Sequence, residues 1–247
     1  MKIGVLASHE GTTLQAVVDA CAAKAIPCQV VAIISNNRDS GALQRARATS
    51  IRAYHLSSHT NPDAADLDVA ICRALVECDV DVILLAGYMK QIGPETLSRF
   101  RGRILNTHPA LLPKFGGKGM HGLHVHRAVL AAGESKSGAS VHVVSEAYDA
   151  GPVLAQVDVR VEPTDTPETL AERVQERERS LVVETLGAIA AGRIRLPAVG
   201  EEGRPTTRFS GPASPAAERE RSTEEKGWPE RSQHSSRTTI SPTSRPS

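Results

Sequence analysis

The sequence predicts an α/β fold: a mostly parallel twisted sheet with helices on both faces, followed by a disordered polar tail. Three observations carry this expectation. Short runs of Val, Ile and Leu alternate with segments whose apolar residues recur every three or four positions. Continuous apolar runs suit strands covered on both faces, as in parallel sheets. Composition changes sharply near residue 200, where large aliphatic residues nearly vanish.

Residues 2–7 (KIGVLA) read as a first strand that opens onto Ser8 and Gly11. Leu14, Val17, Val18 and Cys21 follow at helical spacing. Residues 30–35 (VVAIIS) are β-branched and continuous, as in a buried parallel strand. Residues 40–48 suit a short helix, and residues 66–76 another, with Leu67, Val69, Ala70, Leu75 and Val76 apolar. Residues 82–86 (VILLA) are a further buried strand, broken at Gly87. Residues 103–106 lead into Thr107, His108 and Pro109. Residues 139–144 and 153–161 alternate apolar and polar, and the second has the pattern of antiparallel pairing near an edge. Leu170, Val174, Leu181, Val182 and Leu186 mark one long amphipathic helix over 166–189. Alternating units of this kind close into a parallel sheet, and a ligand then lies at the carboxyl ends of the strands.

Residues 1–197 are thus expected to form one domain. Residues 201–247 are rich in Pro, Ser, Thr, Arg and Glu, with Ile240 the lone large aliphatic. Such a stretch buries too little apolar surface to offset its ordering entropy, so 198–247 are expected to be disordered. The chain is 40% hydrophobic but only 3% aromatic, which calls for an aliphatic core. A net charge of +1 gives no electrostatic reason for nucleic-acid or membrane binding. No apolar stretch is long enough to span a bilayer, and the N-terminal run is too short for a signal peptide. The expectation is a soluble, cytoplasmic protein with small-molecule substrates, and a homodimer is left open. Cys21, Cys28, Cys72 and Cys78 form no CxxC pair and read as reduced, mostly buried thiols.

Three segments carry candidate chemistry. The turn at 8–13 (SHEGTT) joins the first strand to the first helix. A helix N-terminus there offers free backbone N–H groups to a phosphate, Gly11 permits close approach, and Thr12 and Thr13 add hydroxyls. It is not GxGxxG, which disfavours a dinucleotide cofactor. Residues 106–113 (NTHPALLP) put Asn106 and His108 on one side of an extended chain. An amide can donate to an oxyanion, and an imidazole can donate or move a proton, which is what acyl transfer to an amine requires. Asp149 follows the strand containing His142, and a carboxylate near an imidazole can orient it and stabilise its charged form. Taken singly, each also reads as ordinary structure: a capped turn, a polar loop, an Asp before Gly-Pro.

The segments ISNN (34–37), LLAGYMK (84–90), ILNTHPALLPKF (104–115), GLHVH (122–126), GASVH (138–142) and YDAGPVLAQ (148–156) follow one another as in the folate-dependent formyltransferases. The chain resembles that family over residues 1 to about 197. Within it, the members that formylate glycinamide ribonucleotide are most similar. The resemblance implies a Rossmann-like formyltransferase fold and transfer from 10-formyltetrahydrofolate by direct attack of the substrate amine, with no metal. It makes Asn106, His108 and Asp149 the catalytic group, with Asn106 and His108 on the developing oxyanion and Asp149 holding His108 or a water. Gly11, Thr12 and Thr13 fall on the substrate-phosphate loop, and Gln175 and Glu178 where the ribonucleotide is contacted. Met89, Lys90, Ile92, Val144 and Asp149 match the folate wall, with Ser140 and His142 beside the catalytic centre.

This chain departs from the family pattern in places. The loop SHEGTT stands where SGNGSN is common, so the Glu10 carboxylate must turn away from a bound phosphate. Lys90 replaces a frequent Arg and loses its bidentate fork. The Gly-rich run 116–122 reads as a mobile flap over the folate site. His121, His124, His126 and His142 invite a metal reading, but no cysteine or carboxylate completes a set nearby. The sister activities fit less well. A methionyl-tRNA formyltransferase needs a further domain and a basic surface, and a formyltetrahydrofolate hydrolase needs an extra N-terminal domain. A sugar-amine formyltransferase, a formyltetrahydrofolate hydrolase on the same fold and a non-catalytic folate- or nucleotide-binding protein remain as alternatives.

Overall fold

The computed structural model describes residues 1–197 and 207–208. Among them the elements run β1 (Lys2–Leu6), α1 (Thr12–Ala22), β2 (Gln29–Ser35), α2 (Gly41–Ala48), β3 (Arg52–His55), α3 (Ala64–Glu77), β4 (Val82–Leu85) and α4 (Pro94–Arg99). They continue with β5 (Ile104–His108), α5 (Leu123–Ala131), β6 (Lys136–Val143), β7 (Val153–Arg160), α6 (Pro167–Ala190) and β8 (Thr207–Arg208). The sheet order is β3-β2-β1-β4-β5-β6-β7-β8. β1 to β5 pair in parallel, β6 runs antiparallel to β5 and β7, and β8 is parallel to β7. This is the mostly parallel α/β sheet that the sequence predicts.

Side-chain alternation along the buried strands sends residues to two cores. Ile3 and Val5 of β1 join Leu14 and Val17 of α1, Val129 of α5 and Leu170, Val174 and Leu181 of α6. Leu6, Ile83 and Leu85 face the other way, onto Ile71 and Leu75 of α3 and Phe100 after α4. Both faces of the sheet are therefore covered by helices.

Helix starts follow their caps. Ser40 accepts from the Leu43 N–H and begins α2. Asp63 accepts from the Ala65 and Asp66 N–H groups, so α3 starts earlier than its apolar periodicity suggests. Thr166 and Thr169 form a reciprocal capping box ahead of α6, with Pro167 in the first turn. β6 also begins before residue 139, because it pairs along the whole length of β7.

Periodicity does not single out β3, α4 or α5. β3 is a four-residue strand with Arg52 and Ala53 exposed. α4 has six residues and α5 nine, and α5 buries His126 on its apolar face. Cys72 and Cys78 are buried, Cys21 and Cys28 half-buried, and all four are free. Apart from residues 207–208, the expected disordered tail at 198–247 lies outside the described residues. No helix among the described residues is long and apolar enough to cross a membrane.

The chain leaves β1 toward β2 and β3, then returns to β4 on the other side of β1. Such a reversal opens a crevice at the carboxyl ends of the two strands. The Ser8 hydroxyl ties the crevice together: it donates to Asn36 Oδ1 at 2.5 Å and accepts from the Met89 N–H at 2.8 Å.

Candidate active site

A cavity of about 770 Å³ opens at this crevice, within the range of small-molecule sites. The loops after β1, β4 and β5 line it, together with residues 117–122 and 144–149 and one face of α6. Every predicted site residue lines it except Ser140. Ser140 is fully buried behind the wall. Its hydroxyl donates to the Ala110 carbonyl at 2.6 Å and accepts from the Leu112 N–H at 3.1 Å and from Gln156 Nε2 at 2.9 Å. It fixes the loop that follows His108 and does not face a ligand.

At one end lies the phosphate-loop candidate. Gly11 begins α1 at φ 69°, a left-handed conformation that favours glycine, and no side chain caps the helix. The first-turn N–H groups of α1 are thus open to an anion. Thr13 Oγ1 instead donates to Glu178 Oε1 at 3.3 Å, and Thr107 Oγ1 donates to the same oxygen at 3.0 Å. Glu178 therefore joins α1, β5 and α6. Burial pushes its carboxyl pKa up, against the pull of the two threonine donors. Gln175 is exposed one turn earlier on α6.

α2 braces the loop from behind. The Ala42 N–H donates to the His9 carbonyl at 3.1 Å, and Arg45 Nε donates to the Glu10 carbonyl at 2.8 Å. The Glu10 side chain reaches the first turn of α2, where the helix dipole favours a carboxylate. A Cβ on Gly41 would lie 2.7 Å from Glu10 Oε2, 2.8 Å from its carbonyl oxygen and 2.9 Å from its Cα. Gly41→Ala is therefore expected to push the loop outward. The KM for a phosphorylated substrate should rise by about tenfold, with a smaller change in kcat, in steady-state assays. Alanine in a first helical turn is otherwise benign.

The centre of the cavity holds Asn106, His108, His142 and Asp149. Antiparallel register sets His142 opposite Asn106 and Ser140 opposite His108. His142 Nδ1 lies 3.1 Å from the Val143 carbonyl, an acceptor, so that nitrogen donates. Its Nε2 is then free to accept from Asn106 Nδ2 at 3.1 Å. His108 Nε2 donates to the Phe115 carbonyl at 2.8 Å. The Asp149 carboxylate lies between the two rings, 3.5 Å from His108 Nδ1 and 3.4 Å from His142 Nε2. Both separations exceed those of strong hydrogen bonds. Asp149 Oδ2 also accepts from the Gly117 N–H at 2.9 Å. Asp149 and Phe115 have φ of 53° and 57°, so two non-glycine residues hold left-handed conformations here.

These contacts set the protonation states. Burial lowers the His108 pKa, outweighing Asp149 and the Phe115 carbonyl, so the ring rests neutral near pH 7. Its proton is on Nε2, and its Nδ1 lone pair is beside Asp149. For Asp149 burial acts to raise the pKa, but hydrogen bonding, including the Gly117 N–H, outweighs it and holds the carboxyl below its ordinary range. An ionised carboxylate thus sits beside a neutral imidazole that can take a proton at Nδ1.

The other end is more apolar. Ile92 is buried, Val144 half-buried, and Met89, with 46% of its surface exposed, borders the opening beside exposed Lys90. The run 116–122 meets the centre through the Gly117 N–H, which donates to Asp149, and is held internally by the turn bonds Met120 N–H to Gly117 O and His121 N–H to Gly119 O. Phe115, Gly117, Gln156 and His126 were not singled out from sequence as site residues. The first two act through backbone atoms, which residue type does not disclose.

Residues 1–186 match the formyl transferase family. The chain belongs to that family. Among curated formyl transferases it is 40% identical over 195 residues to the chloroplastic phosphoribosylglycinamide formyltransferase of Arabidopsis thaliana, covering 78% of this chain and 67% of the relative. It is 38% identical over 200 residues to the Escherichia coli K12 phosphoribosylglycinamide formyltransferase, covering 79% and 90%. The crystal structure of glycinamide ribonucleotide transformylase 1 from Symbiobacterium toebii superposes with a TM-score of 0.73 at 36% identity, covering 79% of this formyl transferase and 93% of that chain.

Proposed function

We propose that this formyl transferase moves the formyl group of 10-formyltetrahydrofolate to the amine of glycinamide ribonucleotide, as a cytoplasmic step of purine biosynthesis. The observation that carries this reading is the placement of Asn106, His108 and Asp149 in one cavity, between an uncapped helix N-terminus and an apolar wall. The two ends match the two substrates: a phosphate seat on α1 with Glu178 nearby, and Met89, Ile92 and Val144 for the flat rings of a folate.

Bound 10-formyltetrahydrofolate supplies an activated formyl group. The residues of the chain do the rest. Asp149, held ionised, accepts a proton from the attacking amine directly or through one water. His108 takes that proton over from Asp149 at Nδ1, because Nε2 is committed to the Phe115 carbonyl, and with it donates to the oxygen that gains charge. Asn106 Nδ2 supplies a second donor to that oxygen when it turns from His142. As the carbon–nitrogen bond breaks, the same proton passes from His108 to the departing folate nitrogen, so one proton is taken from the amine and one is returned, and both side chains regain their resting states.

The test is a steady-state assay of the purified protein with both substrates, following release of the deformylated folate. Release is expected only when glycinamide ribonucleotide is present. Equal release without it would mark a hydrolase, and release with a nucleotide sugar amine in its place would mark a sugar-amine formyltransferase.

A further inference from the structure

Asp68 is a buried acidic side chain that the mechanism does not use. It stands on α3 with 5% of its surface exposed, and its partners lie on another helix. Its Oδ2 accepts from the Glu95 N–H at 2.7 Å. Its Oδ1 accepts from the Thr96 N–H at 3.2 Å and from Thr96 Oγ1 at 2.6 Å. Glu95 and Thr96 belong to the first turn of α4, whose own N-cap is Gly93 and offers no side chain. Asp68 therefore supplies from α3 the cap that α4 lacks. Burying a carboxyl group is costly unless it is hydrogen-bonded, and here three donors meet it. The fit is close: a Cβ on Gly93 would collide with Asp68 Cγ and Oδ2.

The chain that leads into α4 gives this cap a place in the site. Residues 87–92 run from β4 to α4, and every one of them lines the cavity, as does Leu97 of α4. Met89 and Ile92 in this stretch belong to the wall assigned to the folate. Among the described residues, no backbone-to-backbone hydrogen bond involves residues 88–92. Their course is therefore set from the two ends. On the β4 side Ser8 holds them: its N–H donates to the Gly87 carbonyl at 3.2 Å, and its hydroxyl accepts from the Met89 N–H at 2.8 Å. On the α4 side the hold is Asp68.

We infer that Asp68 is a positioning residue for the folate pocket: by capping α4 from α3, it fixes where residues 89–92 stand against the flat rings of 10-formyltetrahydrofolate. The inference deepens the function proposed above and rests on it for the identity of that ligand. Asp68 touches neither substrate. Its effect reaches the folate end of the cavity and leaves the phosphate end, built on α1 and α6, as it is.

The test measures KM for each substrate, the Kd for 10-formyltetrahydrofolate alone by isothermal titration calorimetry, and Tm. Asp68→Asn keeps the shape and leaves an oxygen for Thr96, but turns an amide N–H toward the Glu95 N–H. The KM and Kd for 10-formyltetrahydrofolate should rise about tenfold, while the KM for glycinamide ribonucleotide stays unchanged. Gly93→Ala keeps the acidic group but pushes it off the start of α4, and should move the same two constants in the same direction. Val159→Ala, in the core on the face of the sheet away from α3, should lower Tm and move neither constant. Parent-like folate constants in Asp68→Asn and Gly93→Ala, an equal rise for both substrates, or the same rise in Val159→Ala would overturn the inference. If neither of the first two variants folds, Thr96→Val decides by the same split: it deletes only the hydroxyl donor to Oδ1 and should raise the folate constants about threefold. A parent that binds 10-formyltetrahydrofolate without formylating glycinamide ribonucleotide removes the amine assigned above, and the folate Kd still tests Asp68. A parent that does not bind 10-formyltetrahydrofolate removes both. A parent that formylates glycinamide ribonucleotide beside variants with unchanged folate constants removes the role of Asp68 only.

Discussion

Replacing Asp149 by Asn is expected to lower kcat for formyl transfer by about a thousandfold while leaving both KM values within a few-fold of the parent. The residue sits at φ 53°, a conformation that Asn adopts readily, so the backbone need not move. Asn also keeps an oxygen to accept the Gly117 N–H. The change removes the negative charge between the two imidazoles and the one group held ionised to take the amine proton. An unchanged Tm with lost turnover assigns the defect to chemistry. A fall of less than tenfold would remove Asp149 from the proton path.

His108→Ala is expected to lower kcat by about a hundredfold to a thousandfold, through loss of a donor to the charged oxygen. It carries a structural penalty that must be separated out. His108 is 3% exposed and donates to the Phe115 carbonyl, so Ala leaves a cavity and an unmet acceptor. Tm should therefore fall as well. His108→Gln separates the two effects, because an amide nitrogen can still reach Phe115 but cannot take up a proton. The Gln variant should recover most of the Tm and little of the kcat. Recovery of both would mean that His108 only holds the loop in place.

These outcomes bear on how far the site can be read from sequence. β1, β2 and β4 show in the sequence because strands covered on both faces must be continuously apolar. α6 shows because one stripe of it packs on the sheet for its whole length. β3 does not show: it lies at the end of the sheet order and is only four residues long. Asn106 and His108 are legible as a pair because strand geometry puts alternate residues on one side. Thr107, between them, points the other way, to Glu178 on α6. The partner of Asn106 is not legible. His142 reaches it through the pairing of β5 with β6, and residue type says nothing of that register.

The phosphate loop shows a different limit. The sequence places the Glu10 carboxylate beside a candidate anion site, where like charges conflict. The structure resolves it through Gly41, whose missing side chain makes room for the Glu10 carboxylate on the first turn of α2. The two residues are distant in sequence, and neither signals the other.

The most direct measurement follows the formyl carbon itself. The purified protein is mixed with 10-formyltetrahydrofolate carrying ¹³C in the formyl group, together with glycinamide ribonucleotide, and the label is located by NMR after a single turnover. Asn106, His108 and Asp149 acting on an amine predict all of the label as a formamide on the ribonucleotide. Label found as free formate, or left on the folate, would contradict that account.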